Sequence, residues 1–557
     1  MRYLLKKSLV AYPAFSFFVA AMSATTLAGT FSNLRDYSFT FLWIGVGLLI
    51  FELICSVFRY CCVSKSIIRL IRRILIAISF FCICVFLFFL RVQENPNPSF
   101  PPSEISFKGE VLEVSYSDKG TVYGIVNVQE CKYKFLVGSE VWFTFANYKK
   151  GRQYNVPYIK SGDVINVFGV IRSVVDKQPM AWGYVKDIDA TRSFNKYLES
   201  RFVYFKMFAN PSNVKVVSSR DEKYWGEHIA EKIDNSLSKT FCIDEANSKY
   251  LNTLKAMVLG NKANLTSQQK TWFKDTGTMH IFAVSGLHVG VVAYVLFVLL
   301  SILCIPWRLR CIVVVPILFM YILACGLPPS AVRAFLMVST FVIAISFSRG
   351  ANSLNALMLS AIIAVLIEPQ VIFSAGFQLS YAVVASLLLY SSVYIQLEKV
   401  FVEHFYSVRF FDFYKILFKF FVGGLCVSIG ASCVAMPISS YWFGVFSLSG
   451  VFVSPVFVML ASIAVSCAIV GVFLPSFVAI FFNTIAIFSV YLMTTLAETI
   501  SNFMPILWKV KIENGFFCVV IVSSILILAI LLERSNVWLR FILVPLMSIM
   551  FMLIIWM

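Results

Sequence analysis

Apolar residues gather in long unbroken runs at both ends of the 557-residue chain and alternate with polar ones only in its middle. Three runs open the sequence, at about 9–29, 38–58 and 74–90. Each comes close to the roughly 20 residues that a membrane-spanning helix needs. A second series follows near 281–303, 311–327, 334–347, 354–367, 371–395, 417–440, 446–474, 476–496, 515–532 and 537–557, the later ones abutting. Between the two series, Asn95-Pro96-Asn97-Pro98 and Pro101-Pro102 break the helical pattern. Short runs rich in Val, Ile, Tyr and Phe then appear at 105–114, 121–128, 132–137, 140–146 and 163–171, separated by Gly, Asp, Lys and Asn. Such runs read as strands, and five of them fit a small barrel of the OB type as well as a sandwich fragment. After about 190 the pattern is mixed, then helical around 221–260. The expected fold is a polytopic α-helical membrane protein with a small OB-like β-barrel insert. Its expected parts are three transmembrane helices in 1–90, the β domain in 91–195, a mixed, partly amphipathic connector in 196–276 and a polytopic membrane domain in 277–557.

Composition agrees with this division. Apolar residues make up 59% of the chain and charged residues 14%, with a mean hydropathy of +0.81. A mainly soluble protein carries about a quarter charged residues, so that class is excluded, as is disorder. Of the 47 basic and 29 acidic residues, 26 and 20 lie between 91 and 280. The remaining charge is net positive and orients the chain. Arg2, Lys6 and Lys7 precede the first run, and Arg59, Lys65, Arg69, Arg72 and Arg73 fill the second loop with no acid among them. By the positive-inside rule both are cytoplasmic, which sends 91–276 to the outer side. The start mimics a signal peptide but offers no convincing cleavage site, so it reads as an uncleaved first span. Arg308, Arg310 and Arg349 continue the same orientation after the insert. Most of the 14 cysteines sit in apolar runs and behave as small hydrophobes, while Cys131 and Cys242 in the insert would meet an oxidising compartment.

Few residues suggest chemistry. The four histidines are His228, His280, His288 and His404, and no HxH, HExxH or CxxC spacing occurs. No metal site is therefore expected. No Walker A sequence is present, and no cofactor is expected. The most unusual stretch is Gly277–Gly290, where His280, Ser285, Gly286 and His288 interrupt an apolar run. Ser285 and His288 stand at i and i+3 and are expected on one helix face, with His280 only modestly off it. The pair reads as a polar lining, a packing site or, without a GxSxG elbow or an obvious acid, a Ser–His nucleophile. Arg333 and Gln378 lie in or beside apolar runs, where polar groups need partners or an aqueous path. In the insert, Lys132, Lys134, Trp142, Tyr148, Lys149, Lys150 and Arg152 interleave aromatic rings with positive charge. That pattern suits single-stranded nucleic acid, and also an ordinary strand core.

Several ordered motifs carry a family resemblance. His280–Val289 reads HIFAVSGLHV, preceded by Leu259-Gly260-Asn261-Lys262 and Leu265. Ser330-Ala331-Val332-Arg333-Ala334 follows, then Glu368-Pro369 and Gly376-Phe377-Gln378-Leu379-Ser380-Tyr381. Together they resemble the ComEC-type competence family. Ser449-Gly450 through Pro455 resembles a later segment of it, with Gly450 where an Asn is expected. The resemblance implies a non-enzymatic channel that carries single-stranded DNA across the bacterial cytoplasmic membrane in natural transformation. The partners it implies are single-stranded DNA, the lipid bilayer, a DNA receptor, a nuclease and a cytoplasmic DNA-pulling protein; a homo-oligomer is compatible with it. Many family members end in a metallo-β-lactamase-like domain. This sequence ends in an apolar run at Trp556-Met557, so the expectation is that another protein supplies the nuclease, that the duplex is opened otherwise, or that the chain is a remnant kept for another role. His280, Ser285, Gly286, His288, Arg333 and Gln378 would line or brace the path. The alternatives from the residues themselves are a transporter of a small polar or anionic solute, an intramembrane Ser/His hydrolase and a structural membrane subunit with no transport of its own.

Overall fold

The computed structural model describes residues 65–91, 100–116, 121–145, 159–174, 188–219, 225–239, 245–260, 265–346, 353–405, 411–447, 449–503 and 507–508, with scattered positions before 47 and after 517. The first two apolar runs and the last two lie largely outside these residues, and Tyr148, Lys149, Lys150, Arg152 and Cys242 lie wholly outside them. In chain order the elements are α1 (Lys65–Arg91), β1 (Ser103–Tyr116), β2 (Val122–Cys131), β3 (Glu140–Phe145), β4 (Val164–Ser173), α2 (Ile188–Ser200), β5 (Phe205–Ala209), β6 (Val214–Ser218), α3 (Trp225–Leu237), α4 (Glu245–Leu259), α5 (Ser267–Asp275), α6 (Gly286–Ile302), α7 (Trp307–Ala324), α8 (Pro329–Ser346), α9 (Ser353–Ile367), α10 (Ala375–Phe405), α11 (Phe411–Phe443), β7 (Phe446–Ser447), α12 (Ser449–Phe473), α13 (Ser476–Phe503) and β8 (Leu507–Trp508). They form two compact units, residues 1–222 with 351–377 and residues 223–350 with 378–557.

The first unit holds a closed five-stranded barrel. Its strands run β1-β2-β3-β5-β4, and β4 pairs back onto β1, with β6 added at the outer edge of β4. β3 and β5 are parallel and the other pairs antiparallel. β1 is long enough to pair on both sides, and register shifts at Lys108/Gly109 and Val111/Glu113 bend it round the barrel. Alternate residues point inward, so Phe107, Val111, Val126, Val141, Phe143, Phe145, Ile165, Val167, Phe205 and Met207 fill the interior. Two expectations are corrected here. The run 132–137 is a turn with a short 3-10 helix at Lys134–Leu136, because the chain must reverse between adjacent antiparallel β2 and β3. Its Tyr133 and Phe135 close on Phe100, with ring centroids 5.3 and 5.2 Å away. The closing strand is β5, beyond residue 195, where the pattern ended the domain; without Phe205–Ala209 the barrel stays open between β3 and β4. In the same unit Phe88 of α1 meets Phe202 and Phe373 edge-on, at 6.1 and 6.2 Å.

The second unit is helical. Six of the described helices are long and apolar enough to cross a bilayer: α7, α8, α10, α11, α12 and α13. α6 is apolar and shorter, and packs against α7, α8 and α12. The core they share includes Phe273, Phe282, Val289, Val292, Leu296, Leu318, Phe457, Val465, Val490 and Met493. A buried asparagine ties a polar helix to a spanning one. Asn483 Nδ2 of α13 donates to Ser236 O (2.8 Å) and Lys239 O (3.0 Å), carbonyls at and just beyond the C-terminal end of α3.

Candidate functional site

The site is built on a break between two helices. α5 starts with a capping box, in which Gln269 N donates to Thr266 Oγ1 (3.3 Å) and Thr266 N to Gln269 Oε1 (3.1 Å). It ends at Gly277, whose φ of +71° suits glycine and whose missing Cβ would lie 2.8 Å from Ser447 Cβ. Ser447 Oγ donates to Asp275 O (3.1 Å), and Ser501 Oγ donates to Asp275 Oδ2 (2.9 Å). A 3-10 turn at Met279–Phe282 then drops Ile281 and Phe282 into the core, while His280 stays exposed. Ala283 and Ser285 are extended, and α6 begins at Gly286.

The expected single helix face through His280, Ser285 and His288 is therefore absent. Ser285 is the N-cap of α6 and His288 its third residue. Ser285 N donates to His288 Nδ1 (3.3 Å), and Ser285 Oγ lies 2.9 Å from the same nitrogen. Histidine here takes the place that Glu or Gln holds in the usual capping box. His288 is 2% exposed, and its Nε2 has no partner.

α8 starts against this break. Ser330 Oγ donates to Val284 O (2.7 Å), and a Cβ at Gly286 would lie 3.8 Å from Ala334 Cβ. Arg333, the fifth residue of α8, is 3% exposed, and its Nε and Nη1 have no hydrogen-bond partner. It is buried, not snorkelling at a surface. Gln378, on α10, accepts a bond from Trp442 Nε1 of α11 (2.9 Å). Cysteines do not compete for this chemistry, and Cys131 is unpaired among the described residues. Sequence reading missed Asp275, Ser447 and Ser501, since isolated Ser and Asp residues scattered over more than 200 positions carry no local signal.

The aromatic and basic candidates of the barrel divide. Lys132 and Lys134 are exposed on the β2–β3 turn. Trp142 lies on the outer face, but α2 covers it. Its ring stacks on Tyr123 (5.7 Å) and meets Phe194 of α2 edge-on (5.0 Å). In OB-folds the face of strands 2 and 3 binds oligonucleotides; in this protein α2 lies over that face. Beside Trp142, Lys206 is 4% exposed, donates to Asn195 Oδ1 and sits 5.0 Å from the Phe194 ring centroid. Burial, helped by Arg172 and opposed by Glu199, holds its amine down at about 8. Arg201 bridges Glu113 through two bonds of 2.7 and 2.9 Å, fastening the end of α2 to β1.

Comparison with known proteins agrees with the motifs that build the break. The model of the competence protein family matches residues 257–535. ComE operon protein 3 of Bacillus subtilis (strain 168) is 33% identical over 145 residues, which is 26% of this chain and 19% of that protein. The chain thus spans less than a fifth of the relative in alignment. No solved structure matches the chain. The matched region covers just over half of the sequence and runs from the end of α4 through the break, the buried Arg333 and the later spanning helices, so the chain belongs to the competence protein family.

Proposed function

We propose that this multi-pass membrane protein is a DNA-uptake channel, carrying a single strand inward across the bacterial cytoplasmic membrane during transformation. The observation that carries the reading is the family match over 257–535, which takes in the polar break and the apolar helices after it. The N-terminus lies in the cytoplasm and residues 91–276 outside, as the basic flanks require. A receptor protein delivers the strand, a separate nuclease removes its complement and a cytoplasmic protein draws it in. On the barrel, Lys132 and Lys134 contact phosphates, giving salt-dependent binding with little sequence preference. Trp142 reaches the strand only where α2 moves aside. His280, Ser285, Gly286, His288, Arg333 and Gln378 line or brace the route.

The test is delivery of labelled DNA to the cytoplasm in three strains: unaltered, deleted for this gene, and carrying His288→Ala. The expected result is loss of uptake in both altered strains with normal membrane levels of the variant. Normal uptake in the deletion strain overturns the reading and moves a small-solute transporter to first place.

A further inference from the structure

Two buried nitrogen-bearing side chains near the break have donors and nothing to donate to. Arg333 Nε and Nη1 and His288 Nε2 are without partners, although the residues are 3% and 2% exposed. The tautomer of His288 follows from its other nitrogen. Nδ1 accepts the Ser285 N–H, so the ring proton sits on Nε2, and all three orphan atoms are donors. Buried donors without acceptors are rare, because each has lost its water and gained nothing.

The surroundings have the same sign. The N-termini of α6 and α8 meet here, joined by the Ser330–Val284 bond and the close approach of Gly286 to Ala334. Each helix start concentrates partial positive charge, and paired helix N-termini in membrane proteins face anionic groups. Among the described residues no carboxylate forms an ion pair with Arg333. The groups that act electrostatically on Arg333 and His288 are Tyr381 and His280, neither of them an acid of the carboxylate kind.

We propose that the α6–α8 junction is a binding site for one phosphate-type oxyanion, held by the Arg333 guanidinium and the His288 Nε2–H. Resting on the channel reading, the anion is a phosphodiester of the passing strand, gripped one at a time. A single such site in an apolar bundle lets the charged backbone enter without being held along its whole length. The same chemistry would also accept free phosphate, and the experiment separates the two sources.

The full-length protein in detergent at low salt is melted with inorganic phosphate, with a thymidine dinucleotide phosphodiester and with its uncharged methylphosphonate analogue. The expected result is a rise in Tm with the phosphodiester, none with the methylphosphonate, and loss of the rise in Arg333→Gln. His288→Gln is expected to require at least a tenfold higher phosphodiester concentration for the same rise. Should Arg333→Gln fail to fold, Arg333→Lys replaces it, with a weaker response expected. A rise with inorganic phosphate alone keeps the site and assigns it to a free anion. No rise with either anion, or an equal rise in the Arg333 variant, overturns the site. Gene-dependent DNA uptake without any anion effect leaves the channel and removes the site; an Arg333-dependent rise with normal uptake in the deletion strain leaves the site and removes the channel.

Discussion

Lys206 in the barrel unit and Arg333 in the helical unit are both cations removed from water, at 4% and 3% exposure, yet their surroundings differ in kind. Lys206 is answered on the spot: Asn195 Oδ1 accepts its hydrogen bond, Phe194 lies against it, and Glu199 adds opposite charge. Asn195 in turn donates to Val174 O (3.1 Å), so the chain of bonds ends on the backbone after β4. Arg333 has two donor atoms with no acceptor at all. A buried charge that is internally paired holds a structure together, whereas one left unpaired costs stability that some other role must justify. The contrast separates a cation that docks a helix from one that waits for a ligand.

Substituting each cation by leucine sharpens this difference most. Lys206→Leu leaves Asn195 Oδ1 without its donor and is expected to destabilise α2 on the barrel by about 1–3 kcal/mol. Arg333→Leu removes an uncompensated charge and is expected to leave stability unchanged or raise it by about 1–4 kcal/mol, while abolishing uptake. Thermal melts of the two variants with an uptake assay check both, and a large loss of Tm in Arg333→Leu would break the comparison.

A pH series tests Lys206 alone. Its folded value of about 8 lies below the usual 10.5, so the folded chain releases this proton before the unfolded chain does. The unfolded state then binds more protons between those values, and stability rises with pH across that window. Hydrogen exchange of peptides covering 205–209 is expected to slow, relative to the intrinsic rate, as pH rises from 8 towards 10, and Lys206→Met is expected to flatten the trend. The Arg201–Glu113 bridge is part exposed, at 29% and 54%, so a double-mutant cycle on it is expected to give about 1 kcal/mol or less, falling with salt. The smallest effect on stability is expected from Ser285→Ala, which loses the N-cap of α6 at about 1 kcal/mol, read as a small drop in Tm.

Much of the fold was legible locally. The apolar runs predicted at 311–327 and 446–474 are α7 and α12 within a few residues, because bilayer-length apolar segments need no partner to declare themselves. Strands β1, β2, β3 and β4 follow their alternation for the same reason. β5 was missed, since Phe205–Ala209 is five residues long and carries a lysine whose burial depends on α2. The run 132–137 alternates like a strand and is a turn, because Tyr133 and Phe135 pack on Phe100, some 30 positions earlier. At the break, the helical spacing misplaced the residues of the motif, as Ser285 ends one segment and caps the next.

The sequence alone determined where the chain is apolar enough to span a membrane, where it alternates into strands, and which motifs place it in its family, since each of these is read within one window of residues. Tertiary structure alone decided that β5 closes the barrel, that α2 covers Trp142, and that Arg333 and His288 lose water without gaining acceptors. Those outcomes depend on groups brought together from distant positions, and burial is a property of the assembled neighbours rather than of the residue.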